Sequence, residues 1–277
     1  MIPSLIIAFR EILEGTLIVG IVLGYLNRTN QQKHKRTVWL AVLLAVICSI
    51  IGAILFNALA GGFTGKAEMI FEGTTTLIGA VLLTTMIFWM MGQKKISQEI
   101  ESNIAEEIVK PQDFGLFSLV FISVLREGIE TVIFLGSASF VSHDNNLIGA
   151  IIGIILALAL GYVLFSGLMK ANLKIFFNVT SVLLILFAAG LVAHSFHEFQ
   201  EAGVIPSLIE HVWNINPPLN ADGSYPPLHD QGLIGSILNG LFGYNGSPSL
   251  EEIIGYAGYL LVIAGLYQFK FKKNKYY

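Results

Sequence analysis

Apolar residues run along this chain in long stretches, broken by short polar connectors. Seven of these runs reach the ~20 residues a helix needs to cross a ~30 Å hydrocarbon core. They are Ile2–Leu26, Val38–Leu59, Met69–Met91, Phe114–Gly136, Leu147–Met169, Ile175–His194 and Ile253–Phe269. The pattern predicts an all-α integral membrane protein of seven transmembrane helices, with residues 1–277 forming one transmembrane domain. Two connectors have patterns of their own. Over 93–113, Ile96, Ile100, Ile104 and Ile108 recur every four residues among Lys and Glu, which predicts an amphipathic helix on the membrane surface. The longest connector, 195–252, is punctuated by Pro217-Pro218 and Pro226-Pro227, and a short interfacial helix is expected over 232–241.

Composition narrows the class further. The chain is 54% hydrophobic and 13% charged, where a soluble domain carries about a quarter charged residues. Cys48 is the single cysteine, which excludes an internal disulfide framework and a thiolate metal cluster and leaves a small buried side chain as the expected role. No cleavable signal peptide is expected, since Arg10, Glu11 and Glu14 interrupt the first run.

Charge sets the orientation. Apart from Arg10, Arg126 and Lys66, every one of the sixteen basic residues falls in alternate connectors or the C-terminal tail, from Arg28–Arg36 through Lys94, Lys95, Lys110, Lys170 and Lys174 to Lys270–Lys275. The positive-inside rule then places the N-terminus outside and the C-terminus in the cytoplasm. The 195–252 connector lies outside on this scheme and contains no Lys or Arg, only acids and histidines. An acidic mouth of this kind attracts cations.

The charges inside the runs carry the chemistry. Arg10-Glu11-Ile12-Leu13-Glu14 lies in the first run and Arg126-Glu127-Gly128-Ile129-Glu130 in the fourth, each within apolar sequence. An ionisable group at the centre of a span costs roughly 2.5–3.5 kcal/mol, and each large apolar residue returns only ~0.3–0.6. Helical spacing puts the three side chains of each R-E-x-x-E copy on one face, and Gly128 permits close approach to that face. With the predicted orientation the two copies run in opposite senses, so spans one to three and four to six form a 3+3 inverted repeat, followed by one C-terminal helix. Such repeats place transport sites near the bilayer midplane. A structural ion pair is the competing explanation, but buried pairs stabilise poorly and Glu11 and Glu127 would be surplus to them.

Further acids lie toward the outer ends. Glu68 and Glu72 open the third run, and His194, His197, Glu198 and Glu201 close the sixth. Glu11, Glu14, Glu127, Glu130, Glu72, His197, Glu198 and Glu201 form the candidate metal-binding set, with Arg10 and Arg126 balancing charge. Oxygen donors with some imidazole suit a hard cation; iron(III), manganese(II), magnesium and calcium all fit by ligand type. Arg10 and Arg126 against the four motif glutamates leave a balance of −2, and adding Glu72 gives −3, the count that favours a trivalent ion.

Through these residues the chain resembles the high-affinity iron permeases of fungi and bacteria. The resemblance covers nearly the whole length. It rests on both R-E-x-x-E copies, Leu17-Ile18-Val19-Gly20, Phe71-Glu72-Gly73, Ala188-Ala189-Gly190-Leu191, His197-Glu198-Phe199-Gln200-Glu201-Ala202-Gly203, and Leu241-Phe242-Gly243-Tyr244 with Pro248. It implies iron(III) as substrate, the two motifs as the permeation path, and extracytoplasmic partner proteins that oxidise or deliver iron. The family motif carries Gly at its third position, as at Gly128, whereas Ile12 stands there in the first copy, so the halves are expected to contribute unequally. The expected protein is thus a multi-pass plasma-membrane transporter in contact with lipid. Neither a tightly bound cofactor nor a nucleic-acid partner is expected. An intramembrane metalloenzyme is the other class weighed, but His194-Ser195-Phe196-His197-Glu198 has neither zinc-protease order.

Overall fold

The computed structural model describes residues 2–92, 114–141, 146–165, 173–220 and 222–273. The amphipathic segment expected over 93–113 lies outside them. The described residues contain eight α-helices: α1 (Ile2–Arg28), α2 (Lys35–Ala60), α3 (Lys66–Gly92), α4 (Phe114–Val141), α5 (Asn146–Phe165), α6 (Leu173–Glu201), α7 (Leu233–Phe242) and α8 (Leu250–Lys273). A single turn of 3-10 helix, Gln32–His34, joins α1 to α2.

Five helices are long and apolar enough to cross a membrane: α2, α3, α5, α6 and α8. At 27 and 28 residues α1 and α4 have the length as well, and each carries the three charges of its motif. The apolar runs thus locate the long helices, and the structure extends several past the hydrophobic limit. Helix α6 continues beyond His194 to Glu201, where Gly203 adopts the left-handed conformation (φ 71°) and the Val204 amide donates to the Phe199 carbonyl at 2.9 Å. Hydropathy ends at His194; the helix ends where a residue without Cβ closes it.

Small residues decide how the helices meet. Helix α1 lies along α5, α2 along α4 and α3 along α6, while α1 and α4 cross each other. On α5, Gly149, Gly153, Ala157 and Gly161 form a buried stripe at four-residue spacing. A Cβ at Gly153 would strike the backbone of Leu5 and Phe9, and one at Gly161 would strike Thr16. Helices come this close where side chains are small, since lipid supplies no hydrophobic force between them. The α2–α4 contact repeats the device, with Ala41 and Ala45 buried and Ser49 lying over Gly128. Gly20 of α1 receives the ring of Phe165 from α5, and Gly136 of α4 receives that of Phe56 from α2. Both glycines lie ten residues beyond the arginine of their motif.

The outward faces are apolar. Trp39, Leu43, Ile50 and Ile54 of α2, Leu147, Ile155 and Leu158 of α5, and Leu261 and Val262 of α8 are all exposed. Cys48 shares this exposed face of α2, because the buried stripe of that helix runs through Val38, Ala41 and Ala45; the buried position expected for it does not hold. Helix α7 packs on α6 and α1, with Gly240 against Pro3 and Gly243 (φ 68°) against Gly190.

Candidate metal centre

The motif helices bring their carboxylates together where they cross. Glu11 and Glu14 of α1 and Glu127 of α4 each offer an oxygen, and these atoms lie within 4.8 Å of one another. Gly15 stands at the crossing, with Glu127 Cβ and Cγ 3.9 Å from where its own Cβ would be. Close approach on α1 therefore falls at Gly15, one helical turn after Glu11, and Ile12 at the third motif position does not prevent it. Gly128 serves a different contact, the one with Ser49.

The arginines divide the charge unequally. Arg10 Nη1 donates to Glu11 Oε1 at 3.1 Å, and Arg10 Nε lies 3.3 Å from Glu14 Oε1. Arg126 Nε donates to Glu130 Oε1 at 2.7 Å and stands 4.0 Å from Glu127 Oε1. Among the described residues, Glu11 Oε2, Glu127 Oε2 and Glu130 Oε2 are buried and accept no hydrogen bond. Buried carboxylate oxygens with open lone pairs are costly unless a cation uses them, and an all-oxygen set suits a hard or borderline metal ion.

The acids near the start of α3 and the end of α6 form a separate group. Glu72 of α3 meets His194 and Glu198 of α6, again within 4.8 Å, rather than joining the motif glutamates. Gly73 makes room for this, since a Cβ there would press on the Phe199 ring and on Glu198 Cβ. His197 turns another way, 3.2 Å from Glu201 and 3.1 Å from Glu252 of α8. Glu252 also accepts from Asn245 Nδ2 at 2.6 Å and from the Ser249 amide at 3.3 Å, while its own amide donates to Ser249 Oγ. Ser249 and Glu252 thus form a capping box that starts α8. The candidate set drawn from sequence omitted His194 and Glu252. The four-residue spacing of His194 and Glu198 is the signal that points to the first; the second is brought in by tertiary packing alone.

Comparison with known proteins identifies the family. The model of the iron permease FTR1 family matches residues 1–276. The chain belongs to that family. It is therefore an iron-transporting membrane permease and not an enzyme. The ferrous iron permease EfeU of Yersinia pestis is 34% identical over 271 residues, covering 94% of this chain and 91% of the relative. The protein of the same name from Escherichia coli O6:H1 is 34% identical over 269 residues, covering 94% and 92%. No solved structure matches the chain.

Proposed function

We propose that the permease moves iron into the cytoplasm between α1 and α4, with Glu11, Glu14 and Glu127 as central ligands and Glu130 beside them. The gathering of carboxylates from both motif helices carries this proposal. In the proposed architecture α1 and α4 span the plasma membrane with the other five long helices, the N-terminus outside and the C-terminus inside. The two three-helix halves are then inverted copies. Their contacts support this: exchanging the halves turns the α1–α5 pairing into the α4–α2 pairing and the Gly20–Phe165 contact into Gly136–Phe56.

Charge balance favours iron(II) as the ion carried. The trivalent count needs Glu72 at the centre, and Glu72 lies instead with His194 and Glu198. Without it, four glutamates and two arginines leave −2, which neutralises a divalent ion. The bacterial relatives bear the name ferrous iron permease. The outer residues Glu72, His197, Glu198 and Glu201 draw the ion in, and an extracytoplasmic protein that delivers iron would hand it over there.

Radio-iron uptake into proteoliposomes tests the centre. Glu14→Gln and Glu127→Gln should each lower iron(II) uptake on the order of 10–100-fold at unchanged protein level. The double variant should be little worse, because ligands of one ion act as a unit. Near-normal uptake in either single variant would remove the site. A cysteine at Ser224 that labels only from the cytoplasmic side would overturn the orientation.

A further inference from the structure

The donors at the ends of α3 and α6 stand too far from the central glutamates to hold the same ion. Gly79 of α3 and Ser137 of α4 are in contact, and Ser137 Oγ donates to the Thr75 carbonyl at 3.3 Å. From that level Glu72 lies seven residues along α3 in one direction and Glu127 ten residues along α4 in the other. At 1.5 Å per residue, about 25 Å of helix separates them.

The outer group has the features of a binding site in its own right. Glu198 is 8% exposed, and among the described residues no Lys or Arg pairs with it. Its partner is His194, whose Nε2 lies 3.4 Å from Glu198 Oε1. Glu72 adds a second carboxylate within 4.8 Å, and the charges of Glu68 and Glu201 deepen the negative field. A buried Glu198 carboxylate held by an imidazole, with a second carboxylate beside it, costs free energy that a bound metal ion would offset. The nitrogen narrows the choice, because imidazole favours first-row transition ions over magnesium and calcium. His197 is engaged between Glu201 and Glu252, which leaves His194 as the nitrogen donor.

We propose that Glu72, His194 and Glu198 form a second metal site, distinct from the motif centre, that binds a first-row divalent ion at the outer ends of α3 and α6. As a way-station for iron(II) it rests on the transport route proposed above; as a binding site it does not. Purified full-length protein in nanodiscs, titrated with Mn(II), should bind two ions per chain, one for each donor group. Glu14→Gln with Glu127→Gln should leave one, and that ion should show imidazole nitrogen in electron spin-echo modulation. His194→Ala should abolish the nitrogen signal and weaken this site by on the order of 10–100-fold, with the oxygen-only centre still binding as proof of folding. Glu72→Gln with Glu198→Gln should weaken the same site and spare the centre. Nitrogen modulation that survives His194→Ala, or a single bound ion lost with Glu14 and Glu127, would overturn the second site and leave the central one standing. A single ion lost with His194 would do the reverse.

Discussion

Arg10 and Arg126 hold the same place in two copies of one motif, yet their surroundings differ. Arg10 is fully buried with Glu11 beside it, while the Arg126 side chain is 41% exposed. Arg10 is shared between both glutamates of its own motif; Arg126 closes on Glu130 and leaves Glu127 facing α1. Helix α1 is enclosed by the small-residue stripe of α5 on one side and by the crossing with α4 on another. The same five-residue pattern thus yields a closed, structural arginine in one half and an open one in the other. A local motif fixes which charges share a helix face, and the neighbouring helices decide how enclosed those charges are.

The largest expected difference between the halves lies in folding. Arg10→Met strands Glu11 and Glu14 in a buried position, a loss of about 3–5 kcal/mol that should deplete folded protein in the membrane. Arg126→Met removes a partner that is itself 41% exposed and should deplete folded protein less than Arg10→Met does. Quantitative blotting of membrane fractions, with uptake measured on the same samples, separates the two. Equal depletion would mean that the halves are equivalent after all.

A smaller contrast concerns the third motif position. A Cβ at Gly128 would overlap Ser49 Oγ and crowd its Cβ, and overpacking of this kind costs about 1–3 kcal/mol. Gly128→Ala should therefore lower the unfolding temperature, and Ser49→Gly in the same chain should restore most of it. Failure of that rescue would place the glycine requirement at the ion path and not at the α2 contact.

Much of this arrangement was legible in the sequence. Apolar run lengths located the long helices, and the three-and-four spacing put each arginine beside its glutamates. Glu72 was legible as a metal-donor candidate and falls in a donor group, but helical spacing shows which face a residue occupies and not the depth at which its helix meets another; the Gly79–Ser137 contact shows that Glu72 and Glu127 lie on opposite sides of it. The reach of Glu252 to His197 joins residues 55 apart in sequence through the packing of α8 on α6, and no local pattern encodes it. Ser195–Glu201 continues a helix after its apolar run has ended, because side chains that face acids and not lipid make a helix look like a loop to hydropathy.

The smallest expected effect tests the crossing itself. Gly15 in α1 corresponds to Thr131 in α4, each directly after the last glutamate of its motif. Thr131 directs its hydroxyl to the Glu127 carbonyl at 2.7 Å, as a helix threonine commonly does. Gly15 has nothing nearer than 3.9 Å to a Cβ placed on it, an ordinary contact distance. Gly15→Ala is thus free of steric cost and gains about 1 kcal/mol of helix propensity. A purely structural crossing predicts a slightly more stable protein with unchanged transport. If the ion passes between Gly15 and Glu127, the added methyl narrows its path, so uptake should fall several-fold while the unfolding temperature stays level or rises. Thr131→Ala, which removes bulk at the corresponding position of α4, should not slow uptake. Stability and transport moving in opposite directions in the first variant, with transport kept in the second, would place the path at the crossing; unchanged uptake in Gly15→Ala would move it elsewhere.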